Sequence, residues 1–235
     1  MKLAGIDEAG RGPPVIGPMV IAAVVLDEKN VPKLRDLGVR DSKKLTPPKR
    51  RERLFNDIIK LLDDYVILEL WPEEIDSRGG TLNELEVERF VEALNSLKVK
   101  PDVVYIDAAD VKEGRFGEEI KERLNFEAKI VSEHRADDKF LPVSSASILA
   151  KVTRDRAIEK LKEKYGEIGS GYPSDPRTRE FLENYYRQHG EFPPVVRRSW
   201  KTLRKIEEKL RKEAGSKNPE NSKEKGQTSL DVFLR

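Results

Sequence analysis

The feature that most limits how this chain can fold is an unbroken apolar run of eight residues, MVIAAVVL, at positions 19–26. A valine-rich run of this kind is typical of a strand that is buried on both faces. A shorter apolar run predicts a strand before it, and three more strands are predicted later in the chain, so that the remaining four lie at 3–6, 65–70, 103–106 and 126–131. A sheet built from such strands has to be covered by helices.

Helical periodicity occupies the intervals between these strands and the C-terminal third. Apolar residues spaced by three and four predict a helix from Thr46 through Leu61, and Thr81 with Glu84 has the pattern of a capping box that begins another. Further helices are predicted at 116–124, 144–161, 177–188 and 199–212. The predicted fold class is α/β, a mixed five-stranded sheet flanked by helices with a helical C-terminal extension.

We predict three parts along the chain. Residues 1–143 hold the sheet and its flanking helices, and residues 144–214 supply helices that complete this core and form a C-terminal extension. Residues 215–235 form a tail. Its first stretch, GSKNPENSKEKG, has no large apolar residue and is predicted to be disordered.

Composition limits the chemistry open to this protein. The 45 Lys and Arg residues nearly balance the 43 Asp and Glu residues, so attraction to nucleic acid has to come from local clusters of charge. Because cysteine is absent, disulfides and thiolate metal sites are excluded, and oxygen ligands remain together with His134 and His189. We therefore expect any bound metal to be a hard cation. The charged fraction of 37% favours a thermophilic source.

Membrane and secretion signals are missing from the sequence. No apolar run approaches the about 20 residues that are needed to cross a bilayer. The N-terminus also lacks the charged and then apolar layout of a signal peptide. We therefore expect a cytoplasmic protein.

Acidic residues follow three of the predicted strands. Asp7, with Glu8 beside it, comes after the first strand, Asp107 after the fourth and Asp137 after the fifth. If the first and fourth strands are parallel neighbours, the carboxylates meet at one edge of the sheet. Their repulsion would be relieved by divalent cations such as Mg²⁺, which prefer oxygen ligands. Two such ions can promote hydrolysis of a phosphodiester without a histidine or cysteine nucleophile.

The alternative is that these residues are ordinary turn residues. A single Asp after a strand is most often a cap or a solvated loop residue. Three such positions at three strand ends make that interpretation weaker, but spacing alone leaves both interpretations open.

Six segments taken together resemble ribonuclease HII, the type 2 ribonuclease H, in its archaeal form. They are GIDEAGRGP at 5–13, DSKKL at 41–45, YIDAAD at 105–110, HRADD at 134–138, SSASILAKVTRD at 144–155 and GSGYPSDP at 169–176. The resemblance extends over about residues 1–212 and implies a ribonuclease H-like sheet with a helical extension. It implies cleavage of the RNA strand of RNA/DNA hybrids and incision 5′ of single ribonucleotides in duplex DNA, by two Mg²⁺ or Mn²⁺ ions, leaving 5′-phosphate and 3′-hydroxyl ends.

The resemblance also implies roles for individual residues. The metal-binding, catalytic carboxylates are Asp7, Glu8, Asp107 and Asp137, whereas Asp110 and Asp138 match flanking positions. The segment that approaches the ribose 2′-hydroxyl is Gly10, Arg11 and Gly12, assisted by Tyr172. The residues that match phosphate-binding positions are Lys43, Ser147 and Lys151. Without the resemblance, the glycine segment would be interpreted as a tight turn and the tyrosine as a loop aromatic.

Basic residues cluster in two places. Residues 40–53 contain seven positive and two negative residues, and residues 197–212 contain eight and two. Such helix faces usually just face solvent, but two of them beside a carboxylate site favour a track for nucleic-acid phosphates. The predicted substrates are RNA/DNA hybrid and ribonucleotide-containing duplex DNA, bound by a monomer.

The C-terminal peptide QTSLDVFLR carries a separate pattern. Gln227, Leu230, Phe233 and Leu234 have the spacing of a sliding-clamp binding peptide, with leucine in the last aromatic position. The alternative is a frayed chain end. A sliding clamp is therefore a predicted partner, bound more weakly because of Leu234.

The sequence departs from the family pattern at two proline pairs. Pro13-Pro14 and Pro47-Pro48 each look like an insertion of one proline. The first lies before the second strand, where one added residue would exchange the faces of that strand unless a loop absorbs it. We expect the loop to absorb it, because Gly17-Pro18 provides turn residues ahead of the strand.

Other classes of function stay open at this stage. The segment GIDEAGRG also resembles the first phosphate loop of actin-like ATPases and sugar kinases, although no second phosphate loop is present. A module that binds hybrid duplex and clamp without cutting is another alternative, as is a structure-selective DNA endonuclease on the same fold.

Overall fold

The computed structural model describes residues 1–39, 48–108 and 113–216. Within these ranges the five predicted strands are all present. They are β1 Lys2–Ala9, β2 Met19–Asp27, β3 Asp64–Leu70, β4 Val103–Asp107 and β5 Lys129–Glu133. β5 begins three residues later than predicted, because Phe126 and Ala128 pack against the core from the loop that precedes it.

The strands form one mixed sheet in the order β3-β2-β1-β4-β5. β2 pairs antiparallel with both β1 and β3, whereas β4 pairs parallel with β1 and with β5. The expectation that the first and fourth strands are parallel neighbours is therefore confirmed. β1 lies at the centre, so the side chains at its C-terminal end are surrounded by other elements.

Helices connect and cover the strands. Those in the described ranges are α1 Val31–Asp36, α2 Pro48–Ile59, α3 Pro72–Asp76, α4 Leu82–Ser96, α5 Glu113–Lys121, α6 Ala136–Lys139, α7 Leu141–Tyr165, α8 Pro176–His189 and α9 Lys201–Ser216. The predicted capping box at the start of α4 is confirmed, because the Thr81 side chain accepts from the Glu84 amide and the Glu84 side chain accepts from the Thr81 amide. Three short helices, α1, α3 and α6, were not predicted, since four to six residues are too few to show a helical period.

The sheet is covered on both faces. α4 and α5 contribute to a core cluster on one face, and α1, α2 and α7 contribute to another on the opposite face. α7 lies directly on β1: a Cβ on Gly5 would come within 2.1 Å of the Pro142 carbonyl carbon. This close approach brings the side chains of α7 to the end of β1.

The C-terminal segment packs against the loop that joins β1 to β2. A third core cluster joins Val15 and Ile16 of this loop to the end of α7, to α8 and to α9, and Ile16 forms a β-bridge with Val196. The ladder between β1 and β2 is continuous from Ala9 with Val20 to Lys2 with Asp27, so the loop accommodates Pro13 and Pro14 without a break in the strand, as expected.

Two other predictions concern the ends of elements. The predicted boundary after residue 143 falls inside α7, and α9 extends to Ser216, past the predicted boundary at 214. Pro47 and residues 217–235 lie outside the described residues. In the part of the chain that the structure describes, no helix has the length and apolarity that a membrane span requires.

Candidate active site

Two carboxylates lie side by side because of the register between β1 and β4. The last paired residues of this ladder are Ile6 and Ile106, and Asp7 and Asp107 each come next. The predictions that Asp7 follows the first strand and Asp107 the fourth are wrong, since β1 continues to Ala9 and β4 ends at Asp107 itself. The antiparallel pairing with β2 extends β1 beyond its apolar residues.

A third carboxylate is brought to this pair by a turn after β5. Arg135 has a φ of 55°, the left-handed conformation that few residues other than glycine adopt, and α6 begins at the next residue. The Ala136 amide donates a hydrogen bond to Asp107 Oδ1 at 3.0 Å. As a result, one carboxylate oxygen from each of Asp7, Asp107 and Asp137 lies within 4.8 Å of the others.

Burial and mutual repulsion dominate the electrostatics of this cluster. Asp7 is only 4% exposed, and burial raises its pKa well above the ordinary value, with further contributions from the charges of Glu8 and Asp107. A hydrogen bond from Ser147 and the charge of Lys151 act in the opposite direction. Bound cations would remove the cost of ionising these groups together.

Glu8 stands beside the three aspartates but does not belong to their oxygen group. Burial raises the pKa of Glu8 to about 8, and the charge that contributes most to this rise is that of Glu86 on α4. The donor set is made of carboxylate oxygens, which fits a hard cation such as Mg²⁺ or Mn²⁺. The residues present therefore fit the predicted metal.

Ser147 and Lys151 approach the cluster from α7. They are four residues apart on one helix face, and Lys151 Nζ donates to Ser147 Oγ at 2.6 Å. Both contribute to the electrostatics of Asp7. The structure thus places two of the three predicted phosphate-binding residues next to the carboxylates.

The side chain of Arg11 is held by two residues of α4 that the sequence analysis did not identify. Arg11 Nε donates to Glu86 Oε2 at 2.7 Å, and the same guanidinium donates to Asn83 Oδ1. Glu86 is fully buried, and burial raises its pKa to about 7 although Arg11 opposes this rise. A charged residue at the helix position midway between apolar Leu82 and Phe90 was the available signal for it.

Gly10 and Gly12 have different surroundings. Gly10 has a φ of +79°, and a Cβ there would lie 2.5 Å from Arg154 Nε. Gly12 is exposed, and a Cβ there would meet nothing within 4 Å. Contacts within the protein therefore explain why residue 10 is glycine. They do not explain Gly12, which has open space beside it.

Tyr172 is connected to the glycine segment by Arg154. The Arg154 guanidinium carbon lies 4.9 Å from the centre of the Tyr172 ring, and the same side chain fills the space beside Gly10. Arg154 is buried, and it donates to the carbonyl of Ile16 at 3.3 Å. It was not predicted as part of the site, because its contacts come from three separate segments of the chain.

Several predicted residues lie away from this cluster or outside the described part. Asp138 accepts from Arg135 Nε at 2.8 Å on α6, as a flanking position would. The inclusion of Arg197 among the surface charges at 197–212 is wrong, since its side chain is fully buried against backbone carbonyls. The predicted residues outside the described ranges are Lys43, Asp110, Gln227, Leu230, Phe233 and Leu234.

Comparison with known proteins gives consistent matches. The sequence profile of the family described as ribonuclease HII matches residues 4–203. A ribonuclease HII from Thermococcus onnurineus is 79% identical over 234 residues, covering 100% of this chain and 99% of the relative. The crystal structure of ribonuclease H2 from Pyrococcus horikoshii has a TM-score of 0.86 and 61% identity, covering 90% of this chain and 100% of that one. A structure of the PCNA:RNase HII complex from Archaeoglobus fulgidus has a TM-score of 0.77 and 44% identity, covering 86% of this chain and 96% of that one.

Proposed function

This chain belongs to the ribonuclease HII family, and from that premise we propose that it incises duplex DNA 5′ of embedded ribonucleotides and cleaves the RNA strand of hybrids by two-metal-ion hydrolysis. The proposed products carry 5′-phosphate and 3′-hydroxyl ends. The family assignment itself makes the protein a metal-dependent endonuclease of the ribonuclease H type. The proposal adds the substrate, the mechanism and the residues.

The observation that carries the proposal is the convergence of Asp7, Asp107 and Asp137. These residues, with Glu8 beside them, would hold the cations, and Mg²⁺ or Mn²⁺ suits their oxygen atoms. When bound, the cations lower the pKa of water and stabilise charge on the leaving oxygen. The protein keeps the carboxylates in place through the pairing of β1 with β4 and the bond from Ala136 to Asp107.

Substrate recognition is assigned to residues around this cluster. We propose that the backbone of Gly10, Arg11 and Gly12 approaches the ribose 2′-hydroxyl, the group that distinguishes RNA from DNA, and that Tyr172 assists. The exposed surroundings of Gly12 support this role. Ser147 and Lys151, with Lys43, would bind phosphates near the scissile bond.

A sliding clamp is the proposed protein partner. Gln227, Leu230, Phe233 and Leu234 supply the peptide pattern, and the complex of PCNA with the Archaeoglobus relative supports the assignment. We also propose that the protein acts as a monomer. In it, residues 1–143 form the catalytic core, 144–214 complete it and bind nucleic acid, and 215–235 carry the clamp peptide.

The test uses a duplex DNA that contains one ribonucleotide, with the all-DNA duplex as substrate control, in Mg²⁺. We expect incision 5′ of the ribonucleotide only, and a loss of rate by about 100-fold or more in Asp107→Asn, since one cluster carboxylate is neutralised. Asp138→Asn is the matched control and should keep its activity, because Asp138 pairs with Arg135 outside the cluster.

Each contrary result would indicate a different function. Incision of the all-DNA duplex would indicate a structure-selective DNA endonuclease. Binding without incision would indicate a module that grips the duplex without cutting, and deletion of Pro14 would then show whether the added proline has disabled the site. ATP hydrolysis in place of incision would favour the actin-like alternative.

A further inference from the structure

Two side chains of the C-terminal segment donate hydrogen bonds to backbone carbonyl groups of the loop after β1. Arg197 donates from one terminal nitrogen to the carbonyl of Arg11 at 3.2 Å, and from Nε and the other terminal nitrogen to the carbonyl of Gly17, both at 3.3 Å. Trp200 Nε1 donates to the carbonyl of Gly12 at 2.9 Å. Two side chains from just before α9 therefore fix three carbonyls of one loop.

The burial of Arg197 is unusual for a charged side chain. It is 0% exposed, and among the described residues it forms no ion pair: its nitrogen atoms donate to backbone carbonyls, and its guanidinium lies 5.1 Å from the Trp200 ring centre. Burial lowers its pKa to about 9, which reflects the cost of keeping the charge out of water. An apolar residue could fill the same volume without this cost. The hydrogen bonds to the loop are what an apolar residue could not supply.

These bonds determine where the amide of Gly12 points. The peptide between Arg11 and Gly12 is trans, so its N–H is directed opposite to the carbonyl that faces Arg197. Gly12 is exposed, and its N–H has no acceptor in the described part of the chain. The next peptide has no N–H, because residue 13 is proline. Among the described residues, the Gly12 amide is thus a donor without an acceptor, and it is turned away from Arg197.

We propose that Arg197 and Trp200 are positioning residues for ribose recognition: by holding the carbonyls of Arg11 and Gly12, they aim the Gly12 N–H at the 2′-hydroxyl of the substrate. This inference rests on the proposed function, in which the glycine segment distinguishes ribose from deoxyribose. It makes the C-terminal segment part of substrate selection through the loop that it holds, in addition to any contact of its own with nucleic acid.

The test replaces Trp200 by phenylalanine, which removes the indole N–H and keeps an aromatic ring. Trp71→Phe is the matched control, because Trp71 is also half-buried and packs against the same core cluster. Affinity is measured by fluorescence anisotropy with Ca²⁺ in place of Mg²⁺, to allow binding without cleavage. The readout is the ratio of the Kd for all-DNA duplex to the Kd for the duplex with one ribonucleotide.

We expect Trp200→Phe to lower this ratio by about fivefold, the factor that corresponds to one hydrogen bond, while Trp71→Phe leaves it unchanged. Arg197→Lys should lower the ratio as well, because an ammonium group cannot bridge two carbonyls as the guanidinium does, and it serves as the second variant if Trp200→Phe does not fold. A loss of thermal stability with an unchanged ratio in the folded variant would overturn the inference. If the unaltered protein shows no preference for the ribonucleotide, the proposed function fails first, so the two failures are distinguishable.

Discussion

At the scale of single residues, we assign different reasons to Gly10 and Gly12: the fold requires the first glycine, and the proposed substrate requires the second. A side chain on Gly10 would collide with Arg154 and would have to adopt a φ of +79°. A side chain on Gly12 would extend into open space. Folding therefore explains the first glycine, and the approach of a ligand is the explanation that we assign to the second.

This contrast predicts opposite behaviour of two alanine variants. Gly10→Ala should lower the free energy of unfolding by about 1–3 kcal/mol, because the new Cβ adds strain and overpacking. Gly12→Ala should leave stability within about 0.5 kcal/mol of the unaltered protein while reducing incision at a ribonucleotide by about tenfold or more. Thermal unfolding and single-turnover incision measure the two effects. A fully active Gly12→Ala would remove this loop from substrate recognition.

The carboxylates predict a pH dependence of the metal-free protein. The folded-state pKa of Glu8 is about 8 and that of Glu86 about 7, both above the ordinary value of 4.5. Between pH 4.5 and the raised pKa values, the folded protein keeps protons that the unfolded chain has lost. The free energy of unfolding therefore falls as the pH rises towards 7 and 8. In EDTA, the unfolding midpoint should drop by roughly 5 °C between pH 6 and pH 9.

Two controls identify the source of that slope. Saturating Mg²⁺ should flatten it, because cations stabilise the ionised carboxylates of the cluster. Glu86→Gln should reduce it, since this removes one titrating group and the largest charge contribution to the pKa of Glu8. An equal slope in the presence and absence of Mg²⁺ would place its origin elsewhere in the molecule.

The residues that the sequence analysis missed share a physical property. Glu86, Arg154 and Arg197 are buried polar side chains whose partners lie 75 to 186 positions away along the chain. Hydrophobic periodicity and local residue spacing cannot reveal contacts between residues so far apart in the sequence. The carboxylates could be predicted because each follows a strand-forming run, so its place in the sheet depends mainly on local sequence.

At the scale of elements, the site depends on how closely α7 lies on β1. The two elements meet where β1 has no side chain, at Gly5 and Pro142. Gly5→Ala should therefore displace α7 and lower the free energy of unfolding by about 3 kcal/mol or more, since backbone atoms cannot yield as side chains do. Incision should fall with it, because Ser147 and Lys151 move away from Asp7. Denaturant titration and incision assays measure both.

Gly114→Ala is the matched control for this substitution. Gly114 lies in α5, is exposed and has nothing within 4 Å of an added Cβ. Alanine favours a helix more than glycine does, so stability should stay equal or rise by up to about 1 kcal/mol. If Gly5→Ala were as stable as this control, the close packing of α7 on β1 would not be what positions Ser147 and Lys151.

Element types were more predictable than their ends. The segments that form β1 and β2 are largely apolar because helices cover both faces of the sheet. These apolar runs are visible in the sequence. The continuation of β1 through Asp7 and Glu8 is not visible in the sequence, because pairing with β2 supplies it and the two residues are charged. Local pattern and tertiary structure disagree here at the site itself.

At the scale of the whole molecule, two segments that are far apart in the sequence meet at the loop after β1. Segments 10–18 and 195–200 are joined by the bridge between Ile16 and Val196 and by the bonds from Arg197 and Trp200. The C-terminal segment thus belongs to the folded unit that carries the carboxylates. The contacts described above that position the carboxylates, the pairing of β1 with β4 and the bond from Ala136 to Asp107, join residues that precede the tail, so the tail beyond Ser216 can be tested separately from the site.

The last prediction separates the tail from catalysis. Deletion of residues 227–235 should leave incision of a short ribonucleotide-containing duplex unchanged and abolish binding to an archaeal sliding clamp, measured by calorimetry. Phe233→Ala should have the same effect on clamp binding. Leu234→Phe should instead strengthen it by about tenfold, because a larger ring buries more apolar surface in the clamp pocket. Should the deletion reduce incision in the absence of clamp, the tail would contribute to the nuclease itself. If Leu234→Phe weakened clamp binding, the register assigned to the peptide would be wrong.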